Sequence, residues 1–147
     1  MRRFRNPGWA VAVGVLCLLV ASTWASPILA ADEREDAAQA AAETWLALVD
    51  SSKYQESWDA AAALFKGAVT AEQWKQAVSG ARGPLGDLVS RKVKSREYAE
   101  ALPGAPDGKY VVIQFETVFK KKASAIETVT SMVDPDGEWR VSGYFVK

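Results

Sequence analysis

Apolar residues in the first half of the chain recur at the i, i+3, i+4 spacing that places side chains on one face of a helix. Three stretches follow this spacing, and each combines small alanines with one or two large aromatic residues. The stripes are Ala38, Ala41, Ala42, Trp45, Leu48 and Val49; Tyr54, Trp58, Ala61, Ala62 and Phe65; and Trp74, Ala77, Val78 and Ala81. The pattern predicts three helices, whose alanines allow a neighbouring element to approach closely.

Capping signals mark the ends of these predicted helices. A Ser, Thr or Asp with Glu or Gln three residues later is the capping-box pattern of a helix N-terminus. Such pairs precede all three stripes: Asp32 with Glu35, Ser52 with Gln55, and Thr70 with Gln73. Gly67 is expected to end the second helix and Gly83-Pro84 the third, because glycine suits a helix C-terminus and proline cannot continue a helix.

The second half of the chain changes to the two-residue period of β-strands. The clearest strand is Lys109–Lys120, which is apolar at most odd-numbered positions. Further strands are predicted at Leu88–Leu102, Ser124–Val133 and Glu138–Val146, separated by turn sequences. In the last strand the alternation places one set of side chains inward (Trp139, Val141 and Phe145) and the other outward (Arg140, Ser142 and Tyr144).

Helices followed by strands with hairpin-length links are typical of an α+β protein. We expect three N-terminal helices packed on a curved, four-stranded antiparallel sheet, which together form a cone-like single domain over residues 31–147. The length of 147 residues fits one domain.

The N-terminal thirty residues have the three parts of a secretory signal peptide. Met1–Gly8 carries three arginines, Val11–Val20 is an unbroken apolar run, and small residues lie near Ala30. The sequence therefore predicts a signal peptide over residues 1–30, cleavage near Ala30, and a periplasmic or secreted protein that meets the membrane only transiently. An uncleaved membrane anchor is the alternative, although Ser22, Thr23, Ser26 and Pro27 interrupt the apolar run.

Composition narrows the chemistry of the mature chain. The only cysteine, Cys17, lies in the leader, and the chain has no histidine, the residue most used as metal ligand and general base. Removing the leader with its three arginines leaves 15 basic and 18 acidic residues, a formal charge of −3. This balance does not favour nucleic acid, and no cofactor or metal site is predicted.

Four segments of the mature chain have a specific arrangement of tryptophans and glycines: Trp45–Trp58, Phe65–Trp74, Pro84-Leu85-Gly86 and Asp136–Tyr144. In these segments the chain resembles a bacterial exported family that is classified only as domain of unknown function four-zero-one-nine, and the resemblance covers nearly all of the mature chain. It implies no activity, because the family has none assigned. The element order and the Gly137–Val141 segment are also similar to the nuclear-transport-factor-2-like (cystatin-like) superfold, in which helices fill the concave side of a curved sheet.

A cone of this kind can hold a pocket between helices and sheet. The candidate ligand-binding residues are Trp45, Trp58, Trp74, Phe115, Glu127 and Trp139. The alternative is that these aromatic side chains form the core, which their predicted inward positions favour. The leading hypothesis is a non-enzymatic exported protein that binds a small apolar ligand or a protein partner.

Two other functions stay open. A homodimer or assembly module would use the outer sheet face around Tyr110, Val112, Gln114 and Tyr144. An enzyme would use a carboxylate in the pocket as its acid or base. The best candidate for this role is Glu127, because it lies inside a β-branched strand, and Glu116 is the alternative. The basic stretches Arg91–Arg96 and Lys120–Lys122 are expected to protect sheet edges or to dock an acidic partner. No catalytic residue is assigned, since no acid–tyrosine spacing of an enzyme is recognisable.

Overall fold

The structure is a computed structural model that describes residues 27–147, so the predicted signal peptide lies almost wholly outside the described residues. Its helices are α1 (Pro27–Asp50), α2 (Tyr54–Asp59), α3 (Ala63–Ala68) and α4 (Ala71–Arg82), followed by a 3-10 turn at Gly83–Leu85. The strands are β1 (Leu88–Ala99), β2 (Tyr110–Phe119), β3 (Lys122–Val133) and β4 (Trp139–Val146). No helix among the described residues is both long and apolar enough to cross a membrane.

The four strands form one open antiparallel sheet in the order β1-β2-β3-β4, which confirms the α+β fold with N-terminal helices packed on the sheet. Central strand β2 pairs on both sides, so that Phe115 lies opposite Val93 of β1 and Glu127 of β3. Each strand therefore follows its neighbour through a short connection, as in a meander, and one sheet face is left to receive the helices.

The core lies between α1 and the inner face of the sheet. Its sheet side is formed by Val111, Ile113, Phe115, Val129 and Val141. On α1, Ala38 and Ala42 are fully buried, and the hydroxyl of Ser131 on β3 donates to the carbonyl of Ala38 at 3.0 Å. The small side chains thus bring the helix backbone within hydrogen-bond distance of the strand, as the alanine-rich stripe predicts.

The predicted second helix is divided into α2 and α3. The predicted Ser52–Gln55 capping box is wrong, since Lys53 precedes α2 and no side chain caps it. The chain leaves the helical conformation at Ala62, whose N–H donates to the carbonyl of Val141 at 2.8 Å. The Asp134 carboxylate then accepts from the N–H of Ala63, the first residue of α3. These contacts with distant residues interrupt a continuous helical stripe.

Of three further helix-end signals in the sequence, one is confirmed and two are wrong. The Thr70–Gln73 capping box is confirmed, with the Gln73 N–H donating to Thr70 Oγ1 at 3.2 Å and the Thr70 N–H to Gln73 Oε1 at 2.9 Å. Asp32 as a helix start is wrong, because α1 begins at Pro27, a residue suited to the first helical position. Gly67 also lies inside α3, which ends one residue later.

The predicted faces of β4 are reversed near its end. The register between β3 and β4 shifts between Thr130 and Ser131, which face Gly143 and Val141, so Ser142 is an extra residue. A β-bulge of this kind exchanges the two faces beyond it. Tyr144 consequently packs against the inner core, and Phe145 lies 60% exposed.

Candidate functional site

Aromatic rings occupy the space between the helices and the inner sheet face. Trp45 lies 5.4 Å from Trp74 and 5.6 Å from Tyr144 between ring centroids, and Phe65 packs edge-on against Trp74 at 5.1 Å. Ser57, which is fully buried, accepts both indole N–H groups, with its carbonyl for Trp45 (2.7 Å) and its hydroxyl for Trp74 (2.9 Å). The rings therefore pack on one another with their polar atoms paired, as core residues do.

The other predicted ligand-binding aromatics are outside this group of rings, although they belong to the same core or pack against it. Phe115 is buried under α1 as part of the sheet core. Trp58 is half-buried and donates from its indole nitrogen to the carbonyl of Val69 at 2.9 Å. Trp139 lines an open groove of about 440 Å³ between α1 and β4. Trp45 lines the same groove. The structure therefore brings Trp45 together with Trp74 in the core and with Trp139 along the groove, whereas Trp58 and Phe115 lie elsewhere.

Glu127 is the centre of the most polar arrangement inside the protein. Its side chain is fully buried on β3, and each of its oxygens accepts two hydrogen bonds. Oε1 accepts from Tyr144 (2.6 Å) and from Arg91 Nη2 (3.1 Å). Oε2 accepts from Arg91 Nε (2.6 Å) and from Thr117 (2.7 Å). The fork of Arg91 therefore holds the carboxylate in bidentate fashion, the strongest geometry for such a pair.

A second carboxylate completes this buried ionic network, which comprises Asp50, Arg82, Arg91, Thr117, Glu127 and Tyr144. Asp50, at the end of α1, accepts from Arg91 Nη1 at 2.7 Å and from Arg82 Nη2 at 2.6 Å. Arg82 also lies 3.5 Å from Glu127, and its guanidinium stacks over the ring of Phe119 at 4.7 Å. Two arginines thus balance two carboxylates.

The fold places these six side chains from six different elements, namely α1, α4 and all four strands. Arg91 of β1 lies opposite Thr117 of β2, and Tyr144 of β4 lies beside Glu127 of β3 because of the bulge at Ser142. Asp50 and Arg82 are the last residues of α1 and α4, so both helices end above this part of the sheet. The network consequently ties the ends of two helices to all four strands of the sheet.

The charges of the network reinforce one another. Burial disfavours the charged form of Asp50, but hydrogen bonds from Arg91 and Arg82 outweigh that effect and hold the pKa of Asp50 below its usual value. Burial together with the nearby Glu127 carboxylate raises the pKa of the Tyr144 hydroxyl, which therefore stays protonated and donates to Glu127. Burial of Arg91 is outweighed in the same way by its two carboxylate partners, so the pKa of Arg91 is raised.

The geometry limits what Glu127 can do chemically. A carboxylate offers about four lone-pair positions, and all four are occupied by protein donors here. A general base needs a free lone pair directed at the substrate proton. Glu116, the rival acid, lies on the outer sheet face and pairs with Lys92 at 3.0 Å. Among residues 27–147, no cluster of three or more Asp, Glu, His or Cys side chains could hold a metal ion.

The sequence singles out Glu127 and offers Tyr144, with Tyr98 and Tyr110, as a possible donor, but it does not indicate the charged partners of Glu127. Arg91 was assigned to a basic edge stretch, whereas its side chain is only 11% exposed and points inward. No pattern in the sequence indicates that Asp50 or Arg82 belongs to a site. The available signal was the acidic residue itself inside a β-branched strand, since a buried carboxylate requires a cationic partner.

The outer sheet face differs from the inner one because no described element covers its centre. Val112 and Gln114 of β2 and Thr128, Thr130 and Met132 of β3 lie there half-exposed. Of the predicted dimer residues, Val112 and Gln114 are on this face. Tyr110 is 1% exposed, with its hydroxyl donating to the Pro106 carbonyl at 2.6 Å, and Tyr144 faces inward, so neither contributes to that surface.

These features define an α+β protein with helices packed on one face of an open antiparallel sheet and with a buried ionic network. The family model described as "Protein of unknown function (DUF4019)" matches residues 41–144. The chain therefore belongs to this family. Neither the curated proteins nor the solved structures contain a match to the chain, so the similarity to the nuclear-transport-factor-2-like superfold stays a prediction.

Proposed function

We propose that the mature chain is an exported, non-enzymatic binding domain that docks a second copy of itself on its outer sheet face. The observation that carries this proposal is the uncovered centre of that face, which presents uncharged side chains from three strands: Val112, Gln114, Thr128, Thr130, Met132 and Phe145. A two-fold interface places the same patch of both copies in contact. A neutral patch brings no like charges together in that arrangement.

The contacts inside the domain favour a function that uses its outer surface and not an internal pocket. The carboxylate that would serve as acid or base is saturated by Arg91, Tyr144 and Thr117. The rings that would line an apolar ligand site pack on one another, with Trp45 3% and Trp74 6% exposed. Both facts favour a structural role for the inner face and leave the outer face for recognition.

Phe145 is the strongest single indication on the outer face. It is a large apolar side chain at 60% exposure, placed there by the bulge at Ser142. Fully burying a phenylalanine side chain stabilises an interface by roughly 1.5–3 kcal/mol. A second copy that covers Phe145 would bury the 60% that is still exposed, which corresponds to about 1–2 kcal/mol on each side of the two-fold axis.

Light scattering coupled to size-exclusion chromatography tests this interface on the purified chain 31–147. We expect twice the monomer mass for the unmodified chain and the monomer mass for Thr128→Arg, because a twofold axis would bring two arginines into the patch. Ser79→Arg, on the exposed side of α4, is the matched control and should leave the dimer intact. A monomer at all concentrations for the unmodified chain would refute the proposal.

Removal of the predicted leader is compatible with the contacts that α1 makes with β1. Arg34 stacks over Tyr98 at 4.3 Å, and Glu35 pairs with Arg96 at 3.4 Å. Cleavage near Ala30 would leave these contacts in place, so the mature chain retains its packing.

Cell fractionation with intact-mass measurement should give a periplasmic or secreted product that begins near Ala31. Leu18→Arg, which interrupts the apolar run, should hold the full-length chain in the cytoplasm; an unprocessed, membrane-bound product of the unmodified chain would instead indicate an anchor.

A further inference from the structure

We propose that a basic depression on the outer sheet face binds an acidic, extended segment of a partner protein. This depression, called the hairpin depression, lies beside the β2–β3 hairpin and has a volume of about 750 Å³. The lining residues that matter for its chemistry are Ser90, Lys92 and Lys94 of β1, Glu116 and Val118 of β2, and Ile126 of β3.

The sheet register explains how one depression comes to have an apolar floor and a basic rim. Lys92 of β1 and Ile126 of β3 lie on either side of Glu116 of β2, and Val118 lies opposite Ser90. The register of β1 shifts between Val93 and Ser95, and the extra residue, Lys94, lines the same depression as Lys92. Two lysines therefore stand at the β1 edge above half-buried aliphatic side chains.

Lys92 and Lys94 against Glu116 leave the rim of the depression with a formal charge of +1, although the mature chain carries a formal charge of −3. Lys92 pairs with Glu116 at 3.0 Å, whereas Lys94 makes no ion pair with any described residue. Hydrogen bonding from Lys92 and the charge of Lys94 hold the pKa of Glu116 below its usual value. Because the positive charge is concentrated in one concave place on an acidic protein, it is complementary to a negatively charged partner.

The shape and the lining select among acidic partners. A flat bilayer surface would meet the lysine rim but would leave the apolar floor uncovered. Single-stranded nucleic acid is bound through aromatic rings on which bases stack, and no aromatic side chain lines this depression. An extended peptide alternates its side chains between two directions. Such a segment can place apolar residues on Val118 and Ile126 and carboxylates beside Lys92 and Lys94.

This inference goes beyond the proposed function and rests on different residues. The dimer would be centred on Thr128, Thr130 and Phe145, whereas the hairpin depression lies toward β1. The proposed function is tested by the mass of the particle and this inference by the binding of a probe, so each can fail without the other.

The probe is a fluorescein-labelled six-residue peptide that alternates aspartate and leucine, and a glutamine–leucine peptide of the same length is its control. Fluorescence anisotropy with the mature chain should show binding of the acidic peptide that weakens between 50 and 200 mM salt, since exposed charges are screened. Lys94→Glu should weaken this binding about tenfold, because one attraction becomes one repulsion of similar size. Lys75→Glu, on exposed α4, has the same change of charge and should bind as the unmodified chain does.

Three results would overturn the inference. The first is equal binding of the acidic and glutamine peptides. The second is an equal loss of binding in Lys94→Glu and Lys75→Glu, which would indicate an effect of net charge alone. The third is binding to phosphatidylglycerol vesicles, measured by co-sedimentation, with no binding of the acidic peptide. An unchanged thermal midpoint of Lys94→Glu serves as the folding control.

Discussion

The substitution Glu127→Gln keeps the shape of the side chain but removes its negative charge from the centre of the buried ionic network. Arg91 and Arg82 would then share only Asp50, so the network would change from neutral to a net positive charge inside the protein. The amide nitrogen of glutamine would also face donors, either those of Arg91 and Thr117 or those of Arg91 and Tyr144. Both changes destabilise the folded state.

The structure sets the size of this effect. Removing one partner of a fully buried ion pair costs roughly 3–5 kcal/mol, because the remaining charge is left without compensation. Glu127 is 0% exposed and meets two arginines, so we expect a loss within that range. Small domains have total free energies of unfolding of about 5–15 kcal/mol. The expected loss is therefore a large fraction of the total stability.

Urea unfolding of the mature chain, followed by tryptophan fluorescence, measures the loss. For a slope of about 2 kcal/mol per molar urea, the midpoint should fall by about 2 M. Glu116→Gln is the matched control, since it removes the same charge from an exposed position and should leave the midpoint close to that of the unmodified chain. Adding Arg82→Met to Glu127→Gln removes one excess positive charge and should recover part of the loss. Equal midpoints for Glu127→Gln and Glu116→Gln would refute the reasoning.

Two further predictions concern a helix cap and acid. Thr70→Ala removes the hydroxyl that accepts from Gln73 and should lower the free energy of unfolding by about 1 kcal/mol; no change in the urea midpoint would contradict the cap. The pKa of Asp50 is lowered in the folded state by hydrogen bonds from Arg91 and Arg82, which outweigh its burial. Its contribution to stability is therefore present above the unfolded-state pKa of about 3.9 and lost as the pH falls through the lower folded-state value. Thermal midpoints should be steady near neutral pH and fall below about pH 4, and a rise in acid would contradict this sign.

Local patterns in the sequence predicted the elements whose structure depends on local contacts. The capping box at Thr70 and Gln73 forms between residues three apart, and the inward face of β2 follows from strict alternation between Val111 and Phe115. The order of the strands follows as well, because short turns can join only antiparallel neighbours. These features require no knowledge of what lies on the other side of the core.

The predictions that failed depend on contacts between distant residues. A continuous helical stripe could not indicate that Ala62 leaves the helix to bond Val141 or that Asp134 caps the next helix. Likewise, strict alternation in β4 placed Phe145 inward, and the bulge opposite Thr130 and Ser131 placed it outward. In each case a hydrogen bond or register with another strand outweighed the local preference.

The class of fold and the separation of helices from strands follow from the amino-acid sequence alone, because hydrophobic period and turn residues are properties of short segments. The sequence also indicates Glu127, because a charge inside a β-branched strand is unusual wherever the strand lies. What surrounds that charge depends on the folded chain. Asp50, Arg82 and Arg91 come from three separate elements, and their attraction to Glu127 arises only when the folded chain brings them within hydrogen-bond distance.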